Sequence, residues 1–448
     1  MACIACLFVF HLFLNLLFLR HFPIFLHFSP NPNFYLHISQ KNRTFARKIY
    51  IVMLKRVIIG NFFSFSGETC IELNRGINLL LGINGSGKSS FVRALKILTE
   101  GIAGDGLESL IHSWGGYSSI INANGDNAPD CIKLTYVFDC NEIKRVVPIS
   151  PFTNDVIYAI TIFPYGATSY TLCESLYVEN NKRLNYISFR NGTGYISMRN
   201  DAGQIVKDSF QAADISSTEL VLRQISNPQR YLPSHAIRKC IENISVYSTF
   251  DLRPLRRPTE YNQGERLMPS GLNLSYLLNN LKNRHSIEYD KIELLLKDVN
   301  PNYKSIDFAL LGSQIYLSVR EKNMKHAIDA LHLSDGTLRF LLLLSIFYNP
   351  NRGGLVGVDE PELGLHPDMV KSLAKMLKNA SRDTQLICAT HSPLLLNQFT
   401  LNDIIVFDKN DKNQTIINRP AESDFEDWEG SLLPGQMWLY GVLGGKRW

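Results

Sequence analysis

The chain has 448 residues, an apolar fraction of 45% and a formal net charge of +5. This length suffices for two or three domains with a large core, and the apolar content excludes a disordered chain. Residues 1–52 contain five basic and no acidic residues, which leaves 41 of each sign in the remainder. Because that remainder carries no net charge, its composition gives no support for nucleic-acid binding.

The first 52 residues differ from the rest of the chain. Residues 4–19 are mostly apolar, as in the hydrophobic region of a signal peptide or in a short membrane span. No charged segment precedes them, and no A-x-A-like cleavage site follows. Because a regular strand pattern starts directly after Met53, we interpret residues 1–52 as an extension that is not native or is disordered. Cys3 and Cys6 form an isolated C-x-x-C, so we expect neither a zinc site nor a disulfide framework.

Three strands are predicted before the first glycine-rich motif. The sequence indicates strands at 54–59 and 70–73 with a turn at 60–67 between them, and a buried strand at 78–81. Apolar residues recur at helical spacing after the motif, from Phe91 to Leu98. The order of elements is therefore strand, glycine-rich loop and helix.

The loop itself reads G-x-x-x-x-G-K-S over residues 82–89, which is the spacing of a phosphate-binding loop. Glycines permit a tight turn and a close approach of the backbone, so that N–H groups and the helix start can surround an anion. Lys88 is expected to reach the β- and γ-phosphates of ATP, and the Ser89 hydroxyl to hold Mg²⁺. The residues expected to bind the nucleotide are Gly82, Asn84, Gly85, Ser86, Gly87, Lys88, Ser89 and Ser90. The alternative is a glycine-rich turn without a ligand. A protein that uses ATP is expected in the cytoplasm.

The middle of the chain shows a change from loop to hairpin and then to helical patterns. Asn-Gly and Asn-Asn pairs separate alternating, aromatic-rich segments, which is typical of antiparallel hairpins. The predicted elements are a loop at 101–130, strands at 133–138 and 145–148, hairpins at 156–206, helices at 216–245 and 271–299, and a strand at 316–319. No internal repeat and no long heptad run is found.

A second motif, L-S-D-G-T-L-R at 333–339, precedes an apolar helix at 340–347. Ser334 or Asp335 is expected to cap this helix, with free N–H groups at its positive end. This helix start is a second potential anion site. The alternative is an ordinary capped core helix.

Two apolar strands end in residues with catalytic side chains. The strand at 354–358 leads to Asp359 and Glu360, which are expected to bind Mg²⁺ and to polarise the attacking water, respectively. The strand at 385–390 ends at His391, at the sheet edge where ligands bind in parallel sheets. His391 is expected to sense the γ-phosphate, and the alternative is a structural histidine.

These motifs together resemble the ABC-type ATPase heads of the RecF/SMC group. Within that group, the sequence from Met53 onward is most similar to compact stand-alone bacterial ATPases of the AAA family, and residues 432–448 resemble their C-terminal pattern. The resemblance implies an α/β P-loop NTPase head with a mixed β-sheet lobe, a helical lobe and an inserted antiparallel β/α region. The implied parts are residues 53–150 and 331–448 for the two halves of the head and 151–330 for the insertion.

The resemblance also implies an ATP-hydrolysing switch that works as a head-to-tail homodimer with two ATP molecules at the interface. The implied nucleotide site comprises Lys88, Ser89 and Asp359 of one subunit with Ser334 and Gly336 of the other. The implied catalytic residues are Glu360, His391 and Lys88, and the implied cofactors are ATP and Mg²⁺. A role in DNA-related or anti-phage defence processes, with a nuclease or toxin as effector, DNA as a candidate partner and no membrane partner, rests on family analogy alone.

The sequence departs from the family pattern at three points. Phe63 stands where the N-F-[KR]-S-F pattern has a basic residue, no glutamine matches the Mg²⁺-linked Q-loop, and no long coiled coil follows the phosphate loop. The 57 residues after His391 are too few for an appended nuclease domain. A transporter-type ATPase subunit is the first alternative function, which the atypical signature and the missing Q-loop disfavour. A non-hydrolysing ATP-clamped binding module is the second, and Glu360 argues against it.

Two charged clusters are expected to be ordinary surface. The acidic residues Asp424, Glu426 and Asp427 are expected in a solvated loop. Arg253, Arg256 and Arg257 could face DNA, but a solvated or salt-bridged surface is the favoured interpretation.

Overall fold

Three β-sheets organise the part of the chain that the computed structural model describes. This part comprises residues 53–122, 130–166, 169–200, 204–225, 227–248, 250–261, 264–425 and 432–445, all within the unit Lys48–Trp448. The extension at 1–52, and Glu426 and Asp427 of the acidic cluster, lie outside the described residues.

The described residues form eighteen strands and twelve α-helices. The strands are β1 (Leu54–Phe62), β2 (Phe65–Glu72), β3 (Ile77–Leu81), β4 (Ile132–Phe138), β5 (Val156–Tyr165), β6 (Ser169–Glu179), β7 (Arg183–Arg190), β8 (Thr193–Arg199), β9 (Ile205–Phe210), β10 (Ile244–Tyr247), β11 (Thr259–Glu260), β12 (Tyr303–Leu311), β13 (Gln314–Glu321), β14 (Ile328–Asp329), β15 (Leu355–Asp359), β16 (Gln385–Thr390), β17 (Ile404–Lys409) and β18 (Thr415–Asn418). The helices are α1 (Lys88–Ile102), α2 (Leu107–Ser113), α3 (Tyr117–Ile120), α4 (Cys140–Val146), α5 (Val221–Gln224), α6 (Leu232–Glu242), α7 (Leu274–Arg284), α8 (Ser286–Val299), α9 (Asp335–Phe347), α10 (Pro367–Ala380), α11 (Pro393–Leu396) and α12 (Pro434–Leu439). None of the helices in the described ranges has the length and apolar character needed to cross a membrane.

An eight-stranded sheet contains the N-terminal strands and the hairpins, in the order β2-β1-β4-β5-β6-β7-β8-β9. All of its neighbouring strands are antiparallel. Asn191 and Gly192 connect β7 and β8 with φ angles of 52° and 76°, as a two-residue type I′ turn requires. This confirms the hairpins expected from the Asn-Gly pair. Because β4 and β5 are neighbours, the predicted segments 53–150 and 151–330 share this sheet, and their boundary stays a prediction.

A six-stranded sheet forms the centre of the molecule, in the order β10-β15-β16-β3-β17-β18. Its strands are parallel except for the pair β17 and β18. A smaller third sheet pairs β13 with β11, β12 and β14. The chain therefore combines a parallel sheet with two antiparallel ones.

The central sheet lies between two hydrophobic cores, as its alternating side chains show. Leu80 of β3 belongs to one core, whereas Leu79 and Leu81 belong to the other. Phe91 and Leu95 of α1 are fully buried in the first core, between the parallel and the antiparallel sheet. Helices α7 to α10 fill the second core. Each fully buried leucine or phenylalanine stabilises this arrangement by about 2 kcal/mol.

Two local predictions are wrong. The segment 145–148, predicted as a strand, instead contains the end of α4 and the first residues of the turn that follows. Asp139 starts this helix, because its carboxylate accepts hydrogen bonds from the backbone N–H groups of Asn141 and Glu142, at 2.8 and 3.3 Å. The segment 101–130, predicted as a loop, contains α2 and α3, each preceded by a glycine with positive φ. The predicted helical segment 216–245 holds α5 and α6 but ends in β10.

Candidate nucleotide-binding and hydrolysis site

The parallel strands bring the predicted motifs to one edge of the central sheet. Asp359 at the end of β15 is level with Ala389 of β16, and Thr390 of β16 is level with Leu81 of β3. Because these strands run in the same direction, the residues that follow them meet at their carboxyl edge. This edge carries the phosphate loop, the Asp-Glu pair and His391.

The phosphate loop leaves the start of α1 open to an anion. Gly85 and Gly87 have φ angles of 78° and 114°, values that glycine adopts without strain. Helix α1 begins at Lys88, with Gly87 as its N-cap, no side-chain cap and no acidic residue in its first turn. The N–H groups at this helix start and the positive end of the helix dipole therefore favour a bound anion.

Close packing also requires glycine in this loop. A Cβ atom at Gly82 would collide with the hydroxyl of Ser86 and the carbonyl oxygen of Phe407. A Cβ atom at Gly87 would lie 2.5 Å from the hydroxyl of Thr415. Close contacts with β17 and β18 thus fix the conformation of the loop in the ligand-free protein.

Thr415 and Ser64 support the phosphate loop through their hydroxyl groups. The sequence did not indicate this role for either residue. The Thr415 hydroxyl donates to the carbonyl oxygen of Ser86 at 2.9 Å and lies 2.8 Å from the Ser64 hydroxyl. The Ser64 hydroxyl in turn lies 3.2 Å from that of Ser90. Only the tertiary fold brings these residues together, since 329 positions separate Thr415 from Ser86.

Lys88 is buried and bonded to its own loop. Its ammonium group donates to the carbonyl oxygens of Gly82 and Ile83, at 2.6 and 3.1 Å. Burial lowers the pKa of Lys88, and the charges of Asp359 and Glu360 oppose that shift. A lysine held in this way is placed to exchange its carbonyl partners for phosphate oxygens.

Ser89 and Asp359, the predicted metal ligands, are hydrogen-bonded to each other. The Ser89 hydroxyl donates to Oδ2 of Asp359 at 3.1 Å, while Oδ1 of Asp359 is buried without a hydrogen-bond partner among the described residues. Burial raises the pKa of Asp359, the hydrogen bond from Ser89 lowers it, and the nearby Glu360 raises it further. An unpartnered carboxylate oxygen beside a hydroxyl suits Mg²⁺, which prefers oxygen ligands and keeps several waters.

The predicted catalytic residues Glu360 and His391 lie side by side. Oε1 of Glu360 lies 3.3 Å from Nδ1 of His391. Glu360 has a φ of 48°, a left-handed conformation that is uncommon for a residue with a side chain. Its backbone N–H donates to the carbonyl oxygen of Ala389 at 2.8 Å, which holds it there. Such local strain is typical of functional sites, because the surrounding structure has to maintain it.

Glu362, a residue that the sequence did not indicate, fixes the end of β16. Its Oε1 accepts hydrogen bonds from the Thr390 hydroxyl and, at 3.4 Å, from the backbone N–H of His391. Its Oε2 is buried without a partner among the described residues, and burial raises the pKa of Glu362. In the sequence D-E-P-E this third carboxylate follows Glu360 by two residues. That spacing is the sequence feature that could have indicated a role for Glu362.

Another residue the sequence did not indicate follows β10, the strand beside β15. Ser248 lines a cavity together with Asp359 and Glu360. Its hydroxyl accepts a hydrogen bond from the ammonium group of Lys96 at 2.8 Å. Burial lowers the pKa of Lys96, with Asp359 among the charges that oppose the shift.

The signature motif begins α9, as predicted. Ser334 caps the helix by accepting a hydrogen bond from the N–H of Thr337 at 3.1 Å. Arg256 holds the preceding segment, since it donates to the carbonyl oxygens of three residues and to the carboxylate of Asp335. These carbonyls belong to Ala330, Leu331 and Leu333. Arg253 pairs with Asp251 at 2.8 Å, so the salt-bridged interpretation applies to both arginines.

One chain therefore assembles only part of the predicted site. The phosphate loop with Lys88 and Ser89, the Asp359-Glu360 pair and His391 share the sheet edge. No hydrogen bond or ion pair links Ser334 or Gly336 to the phosphate loop within the described residues. A Cβ atom at Gly336 would instead lie 3.1 Å from the carbonyl oxygen of Gly364.

Comparisons with known proteins agree with this geometry. A family model described as "AAA domain" matches residues 56–307, more than half of the chain. A second model, described as "AAA domain, putative AbiEii toxin, Type IV TA system", matches residues 271–397. A curated relative, "Retron Vc95 probable ATPase" of Vibrio cholerae serotype O1 biovar El Tor, is 35% identical over 115 residues. That match covers 25% of this chain and 22% of the relative, so the chain matches about a fifth of that protein's length.

Two solved structures of SMC heads have the same fold. The SmcHead bound to the C-winged helix domain of ScpA has a TM-score of 0.50 at 17% identity, covering 83% of this chain and 99% of that one. The Smc head domain with an extended coiled coil, bound to the C-terminal domain of ScpA derived from Pyrococcus furiosus, has a TM-score of 0.50 at 14% identity, covering 84% and 98%. The predicted α/β P-loop head is thereby confirmed, and the chain belongs to the AAA-domain ATPase family.

Proposed function

We propose that the chain hydrolyses ATP and that ATP joins two copies into a switch for a partner effector, in a DNA-related or defence process of the cytoplasm. The observation that supports hydrolysis most strongly is the pairing of Glu360 with His391 beside the phosphate loop, with Oε1 and Nδ1 3.3 Å apart. A protein that only clamps ATP has no need of a carboxylate at this place.

The triphosphate would bind at the start of α1. The loop N–H groups and the Lys88 ammonium group would neutralise its charge. Ser89 and Asp359 would hold Mg²⁺, which supplies charge neutralisation between the phosphates when bound. This assignment uses the unpartnered Oδ1 of Asp359, whose desolvation costs free energy until a cation is near.

Glu360 is the proposed general base. Its carboxylate would accept a proton from the water that attacks the γ-phosphate, while His391 holds that carboxylate in place. General bases of this kind contribute about 10²- to 10⁴-fold to a rate. The strained backbone at Glu360 and its hydrogen bond to Ala389 support a fixed position for the carboxylate.

A second copy would complete the site. Ser334 and Gly336 lie at the start of α9, and among the described residues no hydrogen bond or ion pair joins them to the phosphate loop. In a head-to-tail pair this helix start could meet the triphosphate of the other subunit. The proposed effector partner and the defence role rest on the retron ATPase relative, of which the match covers 22%.

Release of phosphate by the purified full chain tests the hydrolysis part of this proposal. Wild type is expected to release phosphate from ATP when Mg²⁺ is present, and Glu360→Gln to do so at least about 100-fold more slowly. Glu260→Gln, a matched change at an exposed residue of β11, is expected to leave the rate unchanged. Equal rates for Glu360→Gln and wild type would refute the assignment of the base.

A further inference from the structure

The two faces of the eight-stranded sheet are buried to different extents. Along β5, Val156, Tyr158, Ile160 and Ile162 point to the core and are fully buried, whereas the residues between them are only partly buried. The same alternation continues along β6. Side chains of adjacent strands that are level with each other share a face, so the partly buried residues form one continuous outer surface.

Aromatic and basic side chains are concentrated on this face at the β6–β9 end. We call this group the outer platform; its members are Tyr177, Arg183, Arg190, Tyr195 and Lys207. Strand pairing places them on one face, because Cys173 is level with Arg190, Ser188 with Tyr195 and Ser197 with Lys207.

Cations lie directly on the aromatic rings of the outer platform. The Arg183 guanidinium carbon is 3.5 Å from the ring centre of Tyr177, and the Lys207 ammonium nitrogen is 4.0 Å from that of Tyr195. Arg183 also donates to the side chains of Asn185 and Ser175, at 2.9 and 3.3 Å. These contacts hold the guanidinium group of the exposed Arg183 over the ring of Tyr177.

The basic residues of the outer platform lack acidic partners. Arg183, Arg190 and Lys207 are exposed, and none of them forms an ion pair with another described residue. By contrast, Lys133 on the same face further along the sheet pairs with Glu68 at 2.8 Å. Glu179, level with Arg183, is the acidic residue of this end of the face. The local charge is therefore positive, although residues 53–448 as a whole are neutral.

We propose that the outer platform binds single-stranded nucleic acid, with bases stacked on Tyr195 and on the Tyr177–Arg183 pair and phosphates near Arg190 and Lys207. Unpaired bases stack on aromatic rings and on arginine planes, and lysine and arginine neutralise the backbone. In a duplex the bases stack on one another, so their faces are not available to the tyrosine and arginine side chains of the outer platform. Tyr195 is level with Ser188 and Ser188 with Ser175, which is two residues before Tyr177 on β6. Two strand spacings and a rise of two residues put the tyrosines about 12 Å apart, which leaves room for separate bases.

This surface lies outside the proposed ATP site, so it can be tested without nucleotide. Fluorescence anisotropy of the full chain would be measured with labelled mixed-sequence oligonucleotides of about 20 nucleotides. Single-stranded DNA, the same sequence as RNA, and the DNA duplex are the three probes. We expect at least one single strand to bind at least about tenfold more tightly than the duplex. Absence of single-strand binding, or equal affinity for the duplex, would overturn the proposal.

Variants of the outer platform test whether the nucleic acid binds at this surface. Tyr177→Ala and Tyr195→Ala are each expected to weaken single-strand binding by about tenfold. Exchanging Arg183, Arg190 and Lys207 together for glutamine is expected to lower the salt dependence of log Kd by about 1.4, since the two proposed phosphate contacts, at Arg190 and Lys207, contribute about 0.7 each. This triple variant changes only exposed side chains, so it stays informative if a tyrosine variant fails to fold.

Matched controls come from elsewhere on the surface. Lys291, Lys304 and Lys325 are exposed and lie outside the eight-stranded sheet, and Tyr316 is 37% exposed on β13. Exchanging the three lysines for glutamine, or Tyr316 for alanine, is expected to leave affinity and salt dependence unchanged. If these controls weaken binding as much as the platform variants do, the binding is non-specific and the proposal is wrong.

Discussion

The Ser89 hydroxyl donates to Oδ2 of Asp359 at 3.1 Å, although 270 positions separate the two residues. The contact exists because β3, which leads to the phosphate loop, and β15, which ends in Asp359, flank β16 in one parallel sheet. The two halves of the proposed ATP site are thus joined by sheet topology.

Removing the charge of Asp359 is expected to abolish the Mg²⁺-dependent stabilisation by ATP without lowering the stability of the ligand-free protein. Asp359→Asn keeps the acceptor for Ser89 but removes a buried carboxylate, so the ligand-free protein is expected to keep or raise its melting temperature. The additional stabilisation by ATP in the presence of Mg²⁺, about 2.7 kcal/mol at a hundredfold excess over Kd, is expected to disappear. Thermal unfolding with ATP, with and without Mg²⁺, measures both effects.

Asp329→Asn is the control for this prediction, because Asp329 is exposed on β14. It is expected to behave as wild type. A full Mg²⁺-dependent shift in Asp359→Asn would show that the metal binds elsewhere.

Arg256 is expected to govern assembly rather than nucleotide binding. Its guanidinium group donates to carbonyl oxygens on both sides of His332 and to Asp335, at the start of α9. Lysine keeps the charge but cannot make this set of bonds. Arg256→Lys should therefore weaken ATP-dependent dimerisation by about tenfold or more, while ATP affinity changes by less than about twofold.

Arg253→Lys provides the comparison, because Arg253 pairs only with the exposed carboxylate of Asp251 among the described residues. Sedimentation and labelled-ATP titrations of both variants would show the difference. The same loss of dimer in both variants would contradict a positioning role for Arg256.

The buried carboxyl of Glu174 is expected to make stability fall as pH rises. Burial raises the pKa of Glu174 from 4.5 to about 7, against hydrogen bonds from Tyr158 and from the N–H of Val221. The folded state therefore holds a proton that the unfolded state releases between pH 4.5 and 7. Its contribution to the free energy of unfolding is complete below pH 4.5 and is lost by pH 7, a change of about 3 kcal/mol.

Glu174→Gln removes this titration. Urea unfolding of wild type and this variant across that pH range therefore measures the contribution of Glu174 to the free energy of unfolding. The free energy of unfolding of wild type should fall relative to that of the variant as pH rises. Parallel curves for the two proteins would show that the carboxyl titrates normally.

The sequence predicted the central motifs because each lies in a short, ordered pattern. Residues 82–89 and the Asp359-Glu360 pair follow buried strands directly, and the Ser334 cap is a local signal. By contrast, Thr415 and Glu362 act through contacts that only the tertiary fold creates. The strand predicted at 145–148 failed because the Asp139 cap outweighed the local β-propensity.

The outer platform was beyond sequence reasoning for a different reason. The overall charge of residues 53–448 is zero, and only strand register gathers Arg183, Arg190 and Lys207 on one face. The net charge of a sequence sums over all surfaces of the protein, so it does not show a positive surface that only the fold creates.

The central claim is that two copies complete each other's ATP site, and light scattering of Glu360→Gln tests it most directly. With ATP and Mg²⁺ the mass of this variant should double, because the bound nucleotide is not hydrolysed. Adding Ser334→Asn should preserve the doubling, whereas Ser334→Asp should abolish it. Both residues cap helices well, but the aspartate would repel the triphosphate of the partner copy. An unchanged mass with ATP, or a doubling that persists in Ser334→Asp, would contradict the account.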